Sequence, residues 1–357
     1  METKEKMSSA NIQAELNRLS DAQPGASKAC LFTLIVYTQD SHRIDYFKGI
    51  VNLIMQQFPC RLIFIQGNQM TDSPYLHVHV STGIEKKKHE ITSDQIFIEA
   101  GGSDLARVPF LVLPYLIPDL PIYLLWGQDP ITERIILPHL QKFATRLIFD
   151  SKCTKDLEHF SKMMQSLLSS NSNQIIDMNW ARIGGWREVV AETFDTKERL
   201  EQLATASLIK IVYNDRPSPG YFHLETQAIY LQAWLASRLK WEFVKAEKQE
   251  EGYLLHYHSQ HGPLQIRLLS ETRHNLLPEE IIEFEASDQE NYVCNLKRQD
   301  NNQVVVHSSN QYQCELPFTL VLPTLRSGRS FMQEIFYQKV SEQYASILNL
   351  ISLVKWR

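Results

Sequence analysis

Leu31-Phe32-Thr33-Leu34-Ile35-Val36-Tyr37 is a nearly continuous apolar run, and Leu62-Ile63-Phe64-Ile65 is a second one. Runs of this kind mark parallel strands covered on both faces. Between them Ile44, Phe47, Val51, Ile54 and Phe58 recur at intervals of three and four, the stripe of an amphipathic helix. Ser41 or Asp40 stands where an N-cap is needed. Strand, amphipathic helix and strand in that order form a right-handed crossover unit, which predicts a doubly wound, mostly parallel α/β sheet.

Working outward, further strands are expected at Tyr75 to Ser81, Gln95 to Glu99 and Arg146 to Phe149, with a helix near Thr132 to Phe143. Val108 to Trp126 is long and apolar enough to suggest a membrane span until its prolines are counted. Pro118-Asp119-Leu120-Pro121 cannot continue a helix, because proline lacks the amide donor and restricts the residue before it. The run therefore reads as a helix, a turn and a buried strand from Ile122 to Trp126. A helix over 154–169 completes this domain, and Asn171-Ser172-Asn173 marks its end. Upstream, Ile12, Leu16 and Leu19 predict a short docking helix over 9–20, ended by Gln23-Pro24-Gly25. The expected organisation is a helical arm (1–24), an α/β sheet domain (25–173) and an α+β domain (174–357).

The α+β domain has a different texture. Trp186 to Phe194 and Lys197 to Leu203 look helical, Ser207 to Tyr213 looks like a strand, and Leu224, Ala228, Leu231, Leu235 and Leu239 stripe a helix over 223–239. Beyond Lys240 the period becomes two. Leu264, Ile266 and Leu268 alternate with polar residues, as do Ile282, Phe284 and Ala286, which predicts an antiparallel meander with one wet face. Asp300-Asn301-Asn302 suits a hairpin turn. A final stripe, Met332, Phe336, Val340, Tyr344, Ile347, Ile351 and Val354, predicts a C-terminal helix.

Composition narrows the function classes. At 357 residues the chain exceeds the ~250–300 at which one core usually divides. A net charge of -5 argues against wrapping a nucleic acid, and Lys86-Lys87-Lys88 reads as a solvated turn. The first ten residues lack the apolar core of a secretory signal, no segment offers an uninterrupted membrane span, and the five cysteines are few and scattered; a cytoplasmic location is expected.

No Gly-x-Gly-x-x-Gly follows the first strand, where Gln39-Asp40-Ser41-His42 stands, and no Walker-type motif occurs, so no cofactor is expected. Gly101-Gly102-Ser103-Asp104 joins a strand to a helix start, where free amides attract a phosphate; Asp104 in the first turn competes with one. Gly101, Gly102 and Ser103 are the anion-binding candidates, and a sugar-phosphate enzyme with its ligand near Gly101 to Asp104 is the alternative reading. His77 and His79 share one face of a strand, and His256, His258 and His261 lie close in sequence, yet neither set supplies four zinc ligands. Cys294, with Tyr292 and Leu296, and Cys314, with Tyr312 and Leu316, read as small buried hydrophobes. Cys30 and Cys60 open predicted neighbouring strands, where disulfide geometry is poor.

Asp177-Met178-Asn179-Trp180-Ala181-Arg182-Ile183-Gly184-Gly185-Trp186-Arg187-Glu188 carries the densest cluster of binding-type residues. Together with Ile117-Pro118-Asp119-Leu120-Pro121 leading to Trp126, it resembles the glucose-6-phosphate dehydrogenase assembly proteins, the OpcA family. Leu31 to Val36, Phe58 to Ile65 and Gln232 to Leu239 extend the resemblance, whereas Gly184-Gly185 and Leu125 depart from the family pattern. The resemblance implies a non-catalytic assembly factor or allosteric activator that binds glucose-6-phosphate dehydrogenase. Trp180, Arg182, Trp186, Arg187 and Trp126 are then the partner-binding candidates, because Trp and Arg dominate binding hot spots. The same Trp side chains can instead knit the first domain to the second, with Arg182 or Arg187 pairing Asp177 or Glu188.

Overall fold

The computed structural model describes residues 9–22, 27–39, 41–84, 91–170, 174–219, 221–288, 292–299, 302–323 and 342–356. The expectations placed on Gln23-Pro24-Gly25, Asp40, Lys86-Lys87-Lys88, Asn171-Ser172-Asn173, Asp300-Asn301 and Met332, Phe336 and Val340 lie outside these residues. By internal contacts the chain divides into two units, residues 1–153 with 170–176, and residues 154–169 with 177–357.

The first unit opens with helix α1 (Ser9–Asp21), whose Ile12 and Leu16 are fully buried and which packs on strand β4. Its sheet contains β1 (Ser27–Lys28), β2 (Thr33–Thr38), β3 (Arg61–Asn68), β4 (Tyr75–Ile84), β5 (Ile91–Gly101), β6 (Ile122–Trp126), β7 (Arg146–Phe149) and β8 (Gln174–Asp177). All six residues of β2 are buried, as the unbroken apolar run requires. Helix α2 (Ser41–Met55) carries the chain from β2 to β3, and the two strands run parallel with Thr33 opposite Arg61. The strand order is β1-β5-β3-β2-β6-β7-β8, with β4 added antiparallel to β5. Taking β2, β3, β5, β6, β7 and β8 as first to sixth, the sheet reads 3-2-1-4-5-6, the order of the doubly wound dinucleotide-binding fold. Its topological switch point lies between β2 and β6, which pair with Tyr37 opposite Trp126.

Val108 to Trp126 folds as the prolines dictate. A 3-10 turn over Gly102–Arg107 leads into helix α3 (Val108–Val112) and a second 3-10 turn over Leu113–Tyr115; Asp119 then adopts a left-handed conformation (φ 68°) before β6. Aspartate tolerates this region better than most residues. The helix expected over 132–143 is corrected to a single turn, α4 (Leu137–Leu140). Buried Glu133 accepts hydrogen bonds from the amides of Ile135 and Ile136, which fixes the preceding residues as a turn, and Pro138 sits in the first turn of α4.

Helix α5 (Leu157–Ser169) groups with the second unit instead of completing the first sheet. Its buried Leu157, Phe160 and Met164 form the apolar stripe, and it packs on the C-terminal helix α10 (Glu342–Ile351), where Gln165 Nε2 donates to Ser352 Oγ at 3.4 Å. The second unit continues with α6 (Met178–Arg182), α7 (Gly184–Thr193), α8 (Lys197–Thr205), β9 (Leu208–Asn214) and α9 (Thr226–Arg238). Strands β10 (Glu242–Gln249), β11 (Gly252–Ser259), β12 (Gly262–Glu271), β13 (Ile281–Asp288), β14 (Tyr292–Arg298), β15 (Gln303–Asn310) and β16 (Phe318–Val321) follow. The order β10-β11-β12-β9-β13-β14-β15-β16 is antiparallel throughout except for the parallel β9 and β12. The meander read from the two-residue period is therefore present, with β9 inserted at its centre. Helix α9 is almost wholly buried and packs on β9 and β12, while Lys210, Glu283 and Asn295 form a polar cross-strand network.

One side-chain expectation is reversed. Cys294 is buried with Tyr292 and Leu296, but Cys314 is exposed, and its companions Tyr312 and Leu316 are 91% and 90% exposed. Strand β15 ends at Asn310, so the alternation read through Cys314 has no strand to carry it.

Candidate functional site

In a doubly wound sheet the ligand crevice opens where neighbouring strands send their connections to opposite faces, at the carboxyl ends of those strands. Here that place lies beyond Tyr37 on β2 and Trp126 on β6. Aromatic side chains of the chain pack there. The Tyr37 and Trp126 rings, both fully buried, stack at 4.2 Å with 17° between their planes. Phe47 of α2 lies over Gly127 so closely that a β-carbon there would sit 2.2 Å from the ring. Gln39, in the first strand-to-helix turn, donates its backbone amide to Gln128 Oε1 of the facing loop at 3.4 Å.

The charges of the crevice are also internally matched. Arg43, in the first turn of α2 and 3% exposed, donates Nη2 to Asp150 Oδ2 and Nη1 to Cys153 Sγ. Its guanidinium lies 5.0 Å from the Phe47 ring centre and 5.5 Å from that of Tyr46. A buried arginine at the first turn satisfies a carboxylate where the fold elsewhere offers helix amides to a phosphate. Burial raises the Tyr37 phenol far above its usual pKa, although Gln39 Nε2 donates to it at 2.6 Å, so it remains a neutral hydroxyl.

Sequence reasoning identified Trp126 but missed Tyr37, Phe47, Arg43 and Asp150. One signal was available: Arg43 stands four residues before Phe47, on the apolar stripe of α2, where an unpaired cation would be costly.

Of the anion-binding candidates, Gly101 ends β5 and Gly102, with φ 58°, begins the 3-10 turn. Both are packed beneath the 71–75 loop: a β-carbon on Gly101 would meet the Tyr75 ring at 2.3 Å, and one on Gly102 the Thr71 carbonyl oxygen at 3.1 Å. These glycines serve close backbone approach. Ser103 is exposed beside Asp104, which pairs with Arg107 at 3.1 Å.

The Trp and Arg segment lies in the second unit. Asp177, fully buried, caps α6 by accepting from the Asn179 amide at 2.9 Å, and its other oxygen accepts from Tyr230 Oη at 2.5 Å. Trp180 and Trp186 are each 3% exposed. The Arg187 guanidinium stacks on Trp180 at 3.7 Å and donates to the Trp180 carbonyl at 3.3 Å, while Arg182 donates to Asn179 Oδ1 at 2.6 Å. Gly185, where the family pattern is broken, faces the Pro323 carbonyl, which a β-carbon would approach to 2.4 Å. The segment is thus a packed corner of the unit in which Arg182, Gly184 and Arg187 are half-exposed and Glu188 is exposed.

Cys30 and Cys60 are free thiols; burial pushes Cys60 up to about 12. Among the described residues no three His, Cys, Asp or Glu side chains converge as a metal site, and no helix is long and apolar enough to cross a membrane.

Residues 51–166 match the family model described as the glucose-6-phosphate dehydrogenase subunit N-terminal domain, and residues 173–321 match that of the C-terminal domain. A putative OxPP cycle protein OpcA of Synechococcus elongatus is 27% identical over 194 residues, which covers 54% of this chain and 42% of that protein. The protein of the same description from Synechocystis is 28% identical over 218 residues, covering 58% and 43%. The chain thus matches less than half the length of these relatives. Among solved structures, the 3-ketoreductase KijD10 of Actinomadura kijaniata superposes with a TM-score of 0.53 at 13% identity, over 90% of this chain and 95% of that one. Gal80p of Saccharomyces cerevisiae, a super-repressor mutant, gives 0.52 at 10% identity over the same shares. The similarity to both is one of fold.

Proposed function

We infer the function of this chain from its family: it belongs to the OpcA family of glucose-6-phosphate dehydrogenase assembly proteins. On that premise we propose a cytoplasmic, non-catalytic effector that binds glucose-6-phosphate dehydrogenase, promotes its active assembly and so supports the oxidative pentose phosphate pathway. The observation that carries the reading is the match of both halves of the chain to glucose-6-phosphate dehydrogenase subunit domains. The packing at the switch point supports the non-catalytic part, since the Tyr37, Trp126 and Phe47 rings pack there and Arg43 is already paired with Asp150.

An effector of this kind works only by binding the active state of its target more tightly than the inactive one; tight binding to both shifts nothing. The test is a titration. Purified chain is added to its cognate dehydrogenase, NADPH formation is followed against glucose 6-phosphate concentration, and the size of the complex is measured in parallel. A higher rate, a lower apparent KM or a larger active oligomer is expected. No change in any of the three sinks the proposal, and turnover of a sugar phosphate by the chain alone replaces it with an enzymatic reading.

A further inference from the structure

The chain passes from its first unit into its second at Thr154, runs through helix α5 and returns after Ser169. The entry to this excursion is tied to residues that lie just before α9. Thr154 Oγ1 accepts from the Asp156 amide at 3.3 Å, and Asp156 Oδ1 accepts from the His159 amide at 2.9 Å, which caps the first turn of α5. Between these two residues the Lys155 carbonyl meets His223, and the Lys155 ammonium lies 5.4 Å from the centre of the Phe222 ring.

The His223 side chain is 7% exposed, and both of its ring nitrogens face oxygen. Nε2 lies 3.1 Å from the Lys155 carbonyl oxygen and Nδ1 lies 3.4 Å from Glu225 Oε1. A carboxylate and a main-chain carbonyl accept hydrogen bonds and give none. A neutral imidazole has one N–H and one lone pair, so it satisfies one of these oxygens and turns its lone pair on the other. The imidazolium donates to both. The His223 carbonyl accepts from Thr226 Oγ1 at 2.7 Å, which fixes the backbone that carries the ring at the start of α9.

The neighbouring groups act in the same sense. Burial works against the charged ring, but Glu225, the Lys155 carbonyl and Asp156 outweigh it and leave the pKa of His223 raised. Tyr213 of β9 interacts with Glu225, and burial raises its phenol further above neutrality. His159, 64% exposed on α5, is the second imidazole of the cluster and pairs with Asp156 at 2.7 Å.

We propose that His223 is a proton-operated clamp on the entry to α5: with both ring nitrogens protonated it ties Lys155 to Glu225, and loss of one proton releases residues 154–156 from the start of α9. The closed clamp holds a proton that the open one gives up. It is therefore shut below the ordinary imidazole value of about 6.5 and opens as pH rises through the value of the closed form. The clamp stands on the covalent path by which the chain enters its second unit, and it needs no partner or ligand.

The experiment is amide hydrogen exchange of the full chain, corrected for the intrinsic pH dependence of exchange and repeated in low concentrations of urea. It is read at His159 and Phe160, whose amides donate to Asp156 in the first turn of α5, and in strands β14 and β15. Between about pH 5.5 and about pH 8.5 the protection of the two α5 amides should fall by on the order of 10-fold, through an opening that depends little on urea. His223→Gln should abolish the fall, and His159→Gln should keep it. Glu225→Gln removes the charge beside the ring and should move the midpoint of the fall to lower pH by about one unit, in step with the His223 ring titration followed by proton NMR. Should His223→Gln fail to fold, the Glu225→Gln midpoint decides alone. A fall that persists in His223→Gln, disappears in His159→Gln or keeps its midpoint in Glu225→Gln overturns the clamp. So does exchange of the α5 amides with the steep urea dependence of β14 and β15, because the opening is then global.

Discussion

The buried pair Arg43–Asp150 offers the sharpest test of how the crevice of the first unit is held. The two side chains are 3% and 0% exposed, and Arg43 also contacts Cys153 and the rings of Tyr46 and Phe47. Arg43→Met leaves a buried carboxylate without its guanidinium, and Asp150→Leu leaves a buried guanidinium without its carboxylate; each is expected to cost about 3–5 kcal/mol. The double variant removes both charges, so the desolvation term vanishes. What remains is the loss of two ring contacts of the guanidinium, about 0.5–1 kcal/mol each, and the double variant should therefore cost about 1–2 kcal/mol. The singles sum to about 6–10 kcal/mol, a difference too large for additive behaviour to imitate. Urea unfolding followed by hydrogen exchange of β2 and β6 is the assay, because it reads the first unit without altering the buried tryptophans of the second. With a urea dependence of about 2 kcal/mol per molar, each single should lower the midpoint by roughly 2 M and the double by less than about 1 M. Singles that cost under about 1 kcal/mol, or a double that costs their sum, would refute the claim that matched charges hold the crevice shut.

Three further outcomes are expected. Burial pulls the pKa of His223 down, but the Glu225 carboxylate and the Lys155 carbonyl outweigh it and leave the pKa raised above 6.5. The folded state then holds a proton the unfolded chain has released, so this stability is present below about pH 6.5 and is lost as pH rises through the folded pKa; the urea midpoint of the second unit should fall across that window, and His223→Gln should flatten the profile. Trp186→Ala, at a site 3% exposed, should destabilise the second unit by about 3–5 kcal/mol, whereas Arg187→Ala loses one stacked cation and should cost about 1–2 kcal/mol; calorimetry of both separates the packing role from any binding role of this corner. Gly102→Ala, at φ 58° and tight against Thr71 O, should lower stability by at least about 1 kcal/mol, and an unchanged melting temperature would show that the 71–75 loop yields freely.

The parts of the fold that were legible in the sequence are those with one dominant signal. Leu31 to Tyr37 and Leu62 to Ile65 are unbroken apolar runs, Val108 to Trp126 is punctuated by prolines, and Ile282, Phe284 and Ala286 keep a strict two-residue period. Each is where expected. The expectation failed where two signals competed. Over 132–143 helical spacing was outvoted by the Glu133 carboxylate, whose amide bonds stabilise a turn that periodicity does not register. Helix α5 has a stripe of its own, but a stripe states that a face is buried and not against what; it packs on α10, nearly two hundred residues along the chain. At the candidate site, Trp180 and Trp186 were legible as important and illegible as buried, because residue type alone does not separate a core tryptophan from an interface one. Tyr312 and Leu316 failed in the other direction, since they extend an alternation past the end of the strand that produces it.

The glycines explain why the crevice could be filled at all. A doubly wound sheet leaves a gap at its switch point whatever the sequence, and an unfilled gap forfeits packing, at about 24 cal/mol for each Å³ of cavity. A dinucleotide-binding chain keeps the gap and places glycines in the first strand-to-helix turn so that a pyrophosphate can approach the backbone. This chain has Gln39 and Ser41 in that turn, and its glycine is instead Gly127, after β6, where the Phe47 ring needs the space a β-carbon would take. The glycine thus stands in the loop that meets a phenyl ring and not in the turn that would meet a phosphate. Tyr37 and Trp126 complete the filling only because parallel pairing sets them at the same level on neighbouring strands. The consequence for function is directional. With packed rings at its switch point and Arg43 already paired with Asp150, the first unit does not leave that cation free to meet a pyrophosphate.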